Sequence, residues 1–136
     1  MPVSVELATR LALRYWPPET AAVMVAISGA ETWPPWNPDS RGDRLGNRWN
    51  CEGYESFGLW QIHMPSHRDR LIQLGAPNDP CGMARWLLVP ENNARAAKDV
   101  WDRQGFAAWT KWKDGGYRRF LPQATQAVQV EVARNL

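Results

Sequence analysis

The chain has 136 residues, and sixteen Lys and Arg against fourteen Asp and Glu give it a formal net charge of +2. This small excess of positive charge argues against polyanion binding as the main task, so we expect no nucleic-acid partner. A hydrophobic fraction of 44% is typical of a globular domain, and we place one domain over residues 1–136. The longest apolar run, Ala21 to Ile27, has seven residues. A spanning helix needs about 18, so we expect no membrane insertion.

Two helices are predicted at the start of the chain. Ser4 can cap a helix whose apolar positions from Val5 to Tyr15 recur with helical spacing, and the Pro-Pro pair that follows ends it. A second helix is predicted from Pro18 to Glu31. Its residues from Ala21 to Ile27 are apolar on every side, which is typical of a helix at the centre of a domain. Glu31 is therefore expected at the exit of the most buried helix.

The rest of the chain reads as an irregular segment followed by shorter helices. Residues 37–58 are polar, rich in turn signals and aperiodic, which predicts a long loop or a small irregular hairpin. The helices expected after it are one capped by Ser66 and running to Leu74, one starting at Asp79-Pro80, one from Pro90 to Gly105, and one from about Pro122 towards the C-terminus. The predicted class is mostly α, with an irregular loop or hairpin.

Cysteine and tryptophan leave alternatives open. Cys51 and Cys81 can form a disulfide or remain two separately buried thiols. Several of the nine Trp come in close pairs near Pro and Gly, and they either brace loops or form the apolar side of a groove. Neither the cysteines nor His63 and His67 have metal-site spacing, so we expect no metal and no cofactor.

Glu31 is the first candidate for chemistry. Its neighbours on the same helix face, one and two turns back, are Ile27 and Met24 or Val23, and apolar surroundings raise the pKa of a carboxyl group. A Glu that stays protonated near neutral pH suits a general acid for glycosidic bond cleavage. The same position also suits a helix-end Glu bonded to a neighbouring Arg, and spacing alone does not decide between the two.

Four sequence blocks between residue 20 and about residue 120 form an ordered set. They are Ala26-Ile27-Ser28-Gly29-Ala30-Glu31-Thr32, Ser56-Phe57-Gly58-Leu59-Trp60-Gln61-Ile62, Asn93-Ala94-Arg95-Ala96-Ala97, and Trp109-x-x-Trp112 with Gly116-Tyr117. Together they resemble the lysozyme-like transglycosylase family, in which a helix ends in a catalytic Glu and a Ser-x-Gly-Leu-x-Gln-Ile segment lines the cleft. The resemblance implies a lysozyme-like fold with its cleft between the Glu31 helix and residues 37–62.

The resemblance also implies a substrate and a mechanism. The substrate would be the glycan strand of peptidoglycan, cleaved at the β-1,4 bond between N-acetylmuramic acid and N-acetylglucosamine. Glu31 would protonate the glycosidic oxygen and then remove the proton of the muramic C6 hydroxyl, which closes a 1,6-anhydro ring. We assign substrate binding to residues in the family's blocks, namely Ser56, Trp60, Gln61, Asn93 and Tyr117.

Two other functions remain open. Goose-type lysozymes, the hydrolytic relatives, carry acidic residues around the Gly-Leu-x-Gln block, and here Glu55 or Glu52 could activate a water on the opposite face of the sugar. Such an inverting enzyme keeps its two carboxyl groups about 6.5 to 9.5 Å apart. The Trp pairs and weak basicity also suit a non-catalytic glycan-binding module or a structural piece of a virion. We favour the transglycosylase.

The chain departs from the family pattern beside Glu31. Thr32 stands where the family usually has Ser, and Trp33-Pro34-Pro35-Trp36 replaces a Gly- and Asn-rich turn.

The first residues of the chain do not match the pattern of a signal peptide. Arg10 and Arg14 interrupt the apolar positions that a signal peptide requires. Since the substrate lies outside the cytoplasmic membrane, we expect a monomeric phage enzyme, released by lysis or carried on the virion, or a domain of a longer protein.

Overall fold

A computed structural model describes residues 4–136, and most of them are helical. The α-helices are α1 (Val5–Tyr15), α2 (Pro18–Glu31), α3 (Met64–Gln73), α4 (Pro80–Leu88), α5 (Pro90–Gln104), the single turn α6 (Thr110–Lys113) and α7 (Leu121–Arg134). Two 3₁₀ segments cover Gly105–Ala108 and Gly116–Phe120. The strands are β1 (Arg41–Gly42), β2 (Ser56–Phe57) and β3 (Ile62–His63). The prediction of a mostly α chain is confirmed.

Helix α2 is the centre of the fold. It packs against α1, α7 and the 3₁₀ segment Gly116–Phe120, and most of its residues from Ala21 to Gly29 are buried. Helix α1 starts at the predicted cap, where the Ser4 hydroxyl accepts from the N–H of Glu6. The buried apolar residues form one cluster around α2. Between residues 4 and 136, no helix is long and apolar enough to cross a membrane.

The irregular segment folds into a small antiparallel sheet. The strand order is β1-β2-β3, and Ser56 pairs with Gly42 on one side and with His63 on the other. The residues between β1 and β2 form a loop that a disulfide between Cys51 and Cys81 ties to α4. The predicted hairpin region is therefore a three-stranded sheet with a long, cross-linked loop.

Helix α3 begins three residues earlier than predicted, since His63 and not Ser66 occupies the cap position. Met64 starts the helix, Pro65 lies in its first turn, and the N–H of Met64 donates to the carbonyl of Glu55. The predicted cap at Ser66 is wrong, because its hydroxyl forms a hydrogen bond with Nδ1 of His63 at 2.7 Å. By contrast, α4 begins at Asp79-Pro80 as predicted, and Asp79 caps it, since its carboxylate accepts from the N–H of Gly82 at 2.7 Å.

Three tryptophans fasten the loops around α2 to the core. The Nε1–H groups of Trp36 and Trp60 donate to the carbonyls of Val25 and Met24, each at 2.8 Å, and that of Trp109 donates to the carbonyl of Trp60 at 2.9 Å. All three indoles are buried, whereas Trp33 and Trp112 are exposed. The Trp pairs therefore do not form one continuous side of a groove. In the pairs Trp33–Trp36 and Trp109–Trp112, one indole is exposed and the other is buried in the core.

A buried amide joins β2 to the α4–α5 corner. Asn93 donates from Nδ2 to the carbonyls of Phe57 and Leu87, at 2.8 and 2.9 Å, and its Oδ1 accepts from the N–H of Trp60 at 2.9 Å. Gly58 has φ +85°, and a Cβ built there would lie 2.2 Å from Asn93 Nδ2. The amide therefore requires a glycine at the turn that it holds.

We expect Asn93→Ala to lower the free energy of unfolding by about 2 to 4 kcal/mol, because one buried backbone N–H and two carbonyls lose their partner. Denaturant unfolding monitored by circular dichroism measures the loss. The matched control is Asn92→Ala, which removes one bond from a half-buried amide to the Trp86 carbonyl and should cost less than about 1 kcal/mol. Equal losses in the two variants would contradict the central role of Asn93.

Candidate active site

A cavity of about 120 Å³ lies at the C-terminal end of α2. Residues from the sheet, from α3 and α5 and from the start of α6 enclose it, and several of them are titratable. The residues that line it are Glu31, Asp43, Gln61, Ile62, His63, His67, Val100, Ala108, Trp109 and Thr110. The cavity combines acidic, amide and imidazole groups with an apolar base, which suits a ligand that has both polar and apolar faces.

The burial of α2 delivers Glu31 to this cavity. Glu31 is the last residue of the helix and is half-buried, whereas Ile27 and Ser28 behind it are fully buried. Thr32 ends the helix: its hydroxyl donates to the carbonyl of Ser28 at 2.8 Å and accepts from the N–H of Trp36 at 2.6 Å. The backbone on both sides of Glu31 is therefore fixed.

Burial raises the pKa of Glu31 from 4.5 to about 7. The negative charges of Asp43 and Asp114 raise the pKa further, while the positive charge and backbone N–H of Lys111 lower it. The prediction that the surroundings of Glu31 raise its pKa is confirmed. Near neutral pH the carboxyl group is present in both protonation states, so it can donate a proton in one step and accept one in the next.

Asp43 is the second acid of the cavity, and the sequence analysis missed it. Its carboxylate accepts a hydrogen bond from the hydroxyl of Ser56, whose side chain is fully buried. Ser56 therefore positions Asp43, and the assigned role of Ser56 in direct substrate binding is not supported by its burial. The sequence placed Asp43 in a turn. The antiparallel pairing of Gly42 with Ser56 brings it to the cavity that holds Glu31.

The two acids proposed from the sequence do not line this cavity. Glu55 is 1% exposed, and its carboxylate accepts from the N–H groups of Leu45 and Asn47 at 3.1 and 3.0 Å. The hydrogen bond from Asn47, with those from His63 and Leu45, holds the pKa of Glu55 below its usual value. Glu52 is exposed and pairs with Arg41 at 3.3 Å. Glu55 therefore organises the loop, and Glu52 faces solvent.

Both histidines line the cavity, whereas the sequence analysis considered them only as metal ligands and found no metal-site spacing. His63 Nε2 lies 2.9 Å from a carboxylate oxygen of Glu55, and its Nδ1 lies 2.7 Å from the hydroxyl of Ser66. Both ring nitrogens of His63 are therefore engaged. Burial, together with the charge of Arg103, lowers the pKa of His67 to about 4, so its imidazole is neutral at pH 7.

The other residues assigned to substrate binding occupy different environments. Gln61 lines the cavity, and its Nε2 also donates to the carbonyls of Ser40 and Gly58. Trp60 and Asn93 are 0% exposed, and their polar groups form hydrogen bonds to backbone groups inside the protein, so their roles are structural. Tyr117 is half-buried and lines a separate cavity beside Leu121.

Comparison with known proteins adds no relative to this description. No protein-family model, curated protein or solved structure matches the chain. Within residues 4–136, no group of three or more His, Cys, Asp or Glu side chains is arranged to hold a metal ion.

Glu31 should make stability depend on pH. Its pKa is raised on folding, so the stabilisation it gives is complete below pH 4.5 and is lost as the pH rises towards about 7. We expect Glu31→Gln to match the wild type at pH 4 and to be more stable by about 1 to 3 kcal/mol at pH 8. Urea unfolding at the two pH values measures this, with the exposed Glu19→Gln as the matched control. A stability gain from Glu31→Gln that is the same at both pH values would contradict the shift.

Proposed function

We propose that this protein cleaves the glycan strands of peptidoglycan between N-acetylmuramic acid and N-acetylglucosamine, as a lytic transglycosylase with a lysozyme-like fold. The observation that carries the proposal is the half-buried Glu31, whose pKa is about 7 and which faces a polar cavity at the end of the central helix. An acid with this pKa is protonated often enough to act on a leaving group at neutral pH and basic enough to recover the proton.

The reaction can proceed with one carboxyl group. Glu31 donates its proton to the glycosidic oxygen, and the bond from that oxygen to the muramic C1 breaks. The resulting carboxylate then removes the proton of the muramic C6 hydroxyl, and this oxygen attacks C1 and forms the anhydro ring. The negative charge of Asp43 in the same cavity favours positive charge that develops at C1. No cofactor is needed, because protons are transferred and one C–O bond replaces another without a change of oxidation state.

The mutual contacts of the four family-like blocks support the lysozyme-like fold. The hydroxyl of Ser28 in the first block donates to the carbonyl of Leu59 in the second at 2.7 Å. Asn93 in the third block bonds the backbone of Phe57 and Trp60 in the second, and Trp109 in the fourth bonds the carbonyl of Trp60. Since the contacts join segments that are far apart in the chain, the four blocks act as one structural unit around Glu31.

Inverting hydrolysis is the second candidate, and the position of Asp43 favours it over the versions that use Glu55 or Glu52. Asp43 shares the cavity with Glu31 and is close enough to raise its pKa, whereas Glu55 is buried in its loop. A carboxylate in this place can remove a proton from a water molecule on the other face of the sugar. The two mechanisms therefore differ in what Asp43 does, and both use Glu31 as the acid.

The disulfide supports a place of action outside a reducing compartment. Cys51 and Cys81 enclose a loop with a sequence separation of 30 and tie the sheet region to α4. Disulfides persist in oxidising surroundings, and peptidoglycan lies in such surroundings. A phage enzyme released by lysis or carried on the virion, or a domain of a longer protein, fits this requirement. We propose that the protein acts there as a monomer.

The first test is loss of turbidity of a peptidoglycan suspension. We expect Glu31→Gln to reduce the rate by at least about 10² while Glu19→Gln, at an exposed position on the same helix, leaves it unchanged. The wild-type rate should fall about tenfold per pH unit above about pH 7, where Glu31 loses its proton. Binding of glycan without turnover in the wild type would instead indicate a glycan-binding module.

The second test separates the two mechanisms through Asp43→Asn and the mass of the products. Under transglycosylation the products carry anhydro-muramic ends. We then expect Asp43→Asn to lower the rate by about tenfold or less, because the variant loses only the negative charge that stabilises positive charge developing at C1. Under hydrolysis the products carry reducing ends, and the variant should lose about 10² or more. Glu52→Gln is the control in both cases, as Glu52 is exposed and lies outside the cavity. An anhydro product combined with a severe Asp43→Asn defect would contradict the assignment.

A further inference from the structure

A second cavity lies beside the C-terminal end of α2 and has no role in the reaction described above. Its volume is about 400 Å³, and its lining residues include Ala30, Thr32 and Trp33 on one side and Lys111 and Arg119 on the other. Ala30 and Thr32 are the chain neighbours of Glu31, and Lys111 follows Thr110, which lines the first cavity. The two cavities therefore both lie around the C-terminal end of α2. The second lies in the size range of ligand pockets, about 300 to 1,000 Å³, and has room for more than a sugar ring.

Trp33 stands out from this cavity into solvent although its loop is fixed. Its side chain is 81% exposed. The N–H of Trp33 donates to the hydroxyl of Ser40 at 3.3 Å, and its carbonyl accepts from the amide of Asn37 at 3.1 Å. Three residues on, Trp36 is buried, with its ring 5.5 Å from that of Phe120. The indole of Trp33 therefore presents a flat apolar face beside the cavity, on which a sugar ring can stack.

The cavity also contains two cations that form no salt bridge, although the guanidinium of Arg119 lies 5.6 Å from the centre of the Phe120 ring. Neither Lys111 nor Arg119 has a carboxylate within 4.0 Å in the part of the chain that the structure describes. By contrast, Arg70 and Arg103 both bind Asp99, at 2.6 and 3.1 Å. An aromatic face and two unpaired cations around one cavity are complementary to a sugar ring that carries an anionic substituent.

We propose that this second cavity binds a sugar of the glycan strand together with the carboxylates of its attached peptide, so that the enzyme selects peptide-substituted strands over bare ones. The proposal rests on the proposed function, since it makes peptidoglycan the ligand and Glu31 the point where the strand is cut. Trp33 stacks on the apolar face of the sugar. Lys111 and Arg119 receive the peptide carboxylates. The Trp33-Pro34-Pro35-Trp36 segment, which departs from the family pattern, is then a specificity element.

The experiment measures binding in a protein that cannot cut its ligand. Calorimetry on Glu31→Gln compares three ligands of equal length: a peptidoglycan oligosaccharide with its peptides, the same oligosaccharide with the peptides removed by an amidase, and a neutral chitin oligosaccharide. The second ligand retains only the lactyl carboxylate, so the series distinguishes a peptide carboxylate from a lactyl one. Two further variants, Trp33→Ala and Arg119→Gln, are added to this background. Their matched controls are Leu45→Ala and Arg95→Gln, which are exposed and lie outside the cavity.

We expect the ligand with peptides to bind about five- to tenfold more tightly than the ligand without them. Arg119→Gln should reduce this ratio by about two- to fivefold, as expected for one solvent-accessible ion pair, and 0.5 M salt should reduce it as well. Trp33→Ala should weaken both muramic ligands by about three- to tenfold and leave their ratio unchanged, since stacking is independent of charge. The controls should behave like the Glu31→Gln parent.

The outcomes separate this inference from the proposed function. A ratio near one in the Glu31→Gln background, or a ratio that Arg119→Gln and Arg95→Gln change equally, overturns the peptide selection even when the wild type cleaves peptidoglycan. A preference for the amidase-treated ligand assigns the cations to the lactyl group and also overturns it. If the wild type cleaves no peptidoglycan but the expected ratios are found, the binding site stands and the enzymatic proposal fails.

Discussion

The structure depends on the burial of α2. A helix that is apolar on every side can only be stable when other elements surround it, and α1, α7 and the segment Gly116–Phe120 do so here. The helix ends at Glu31, where the apolar environment stops and a polar cavity begins. The same packing that stabilises the domain therefore partly desolvates the carboxyl group and raises its pKa to about 7. Stability and acid strength at this site have one physical cause.

Around this helix, directed hydrogen bonds decide where the loops lie. Hydrophobic contact alone has no direction, whereas an indole N–H or an amide must find an acceptor when it is buried. Trp36, Trp60 and Trp109 meet this need with backbone carbonyls, and Asn93 does so with three backbone groups at once. These bonds fix the segment from Phe57 to Ile62 beside the end of α2. Side chains that a motif assigns to the ligand thereby serve as the frame of the site.

The two cavities at the C-terminal end of α2 differ in the charges that line them. Asp43 and two histidines lie in the smaller cavity, of which His67 is neutral at pH 7, while Lys111 and Arg119 lie in the larger one. Asp43 raises the pKa of Glu31 and Lys111 lowers it, so the charges of the two cavities act on the acid in opposite directions.

The sequence alone predicted most of the helices and the raised pKa of Glu31, because both depend on near neighbours in the chain. Ser4, the Pro-Pro pair and the apolar run from Ala21 to Ile27 set the bounds of α1 and α2, and residues one and two turns back from Glu31 indicated its raised pKa. The tertiary structure alone decided what surrounds Glu31. The pairing of β1 with β2 placed Asp43 at the cavity, and the backbone N–H groups of Leu45 and Asn47 bound the carboxylate of Glu55 in the loop. These contacts join residues that are distant in sequence, where composition and spacing carry no information about which groups meet.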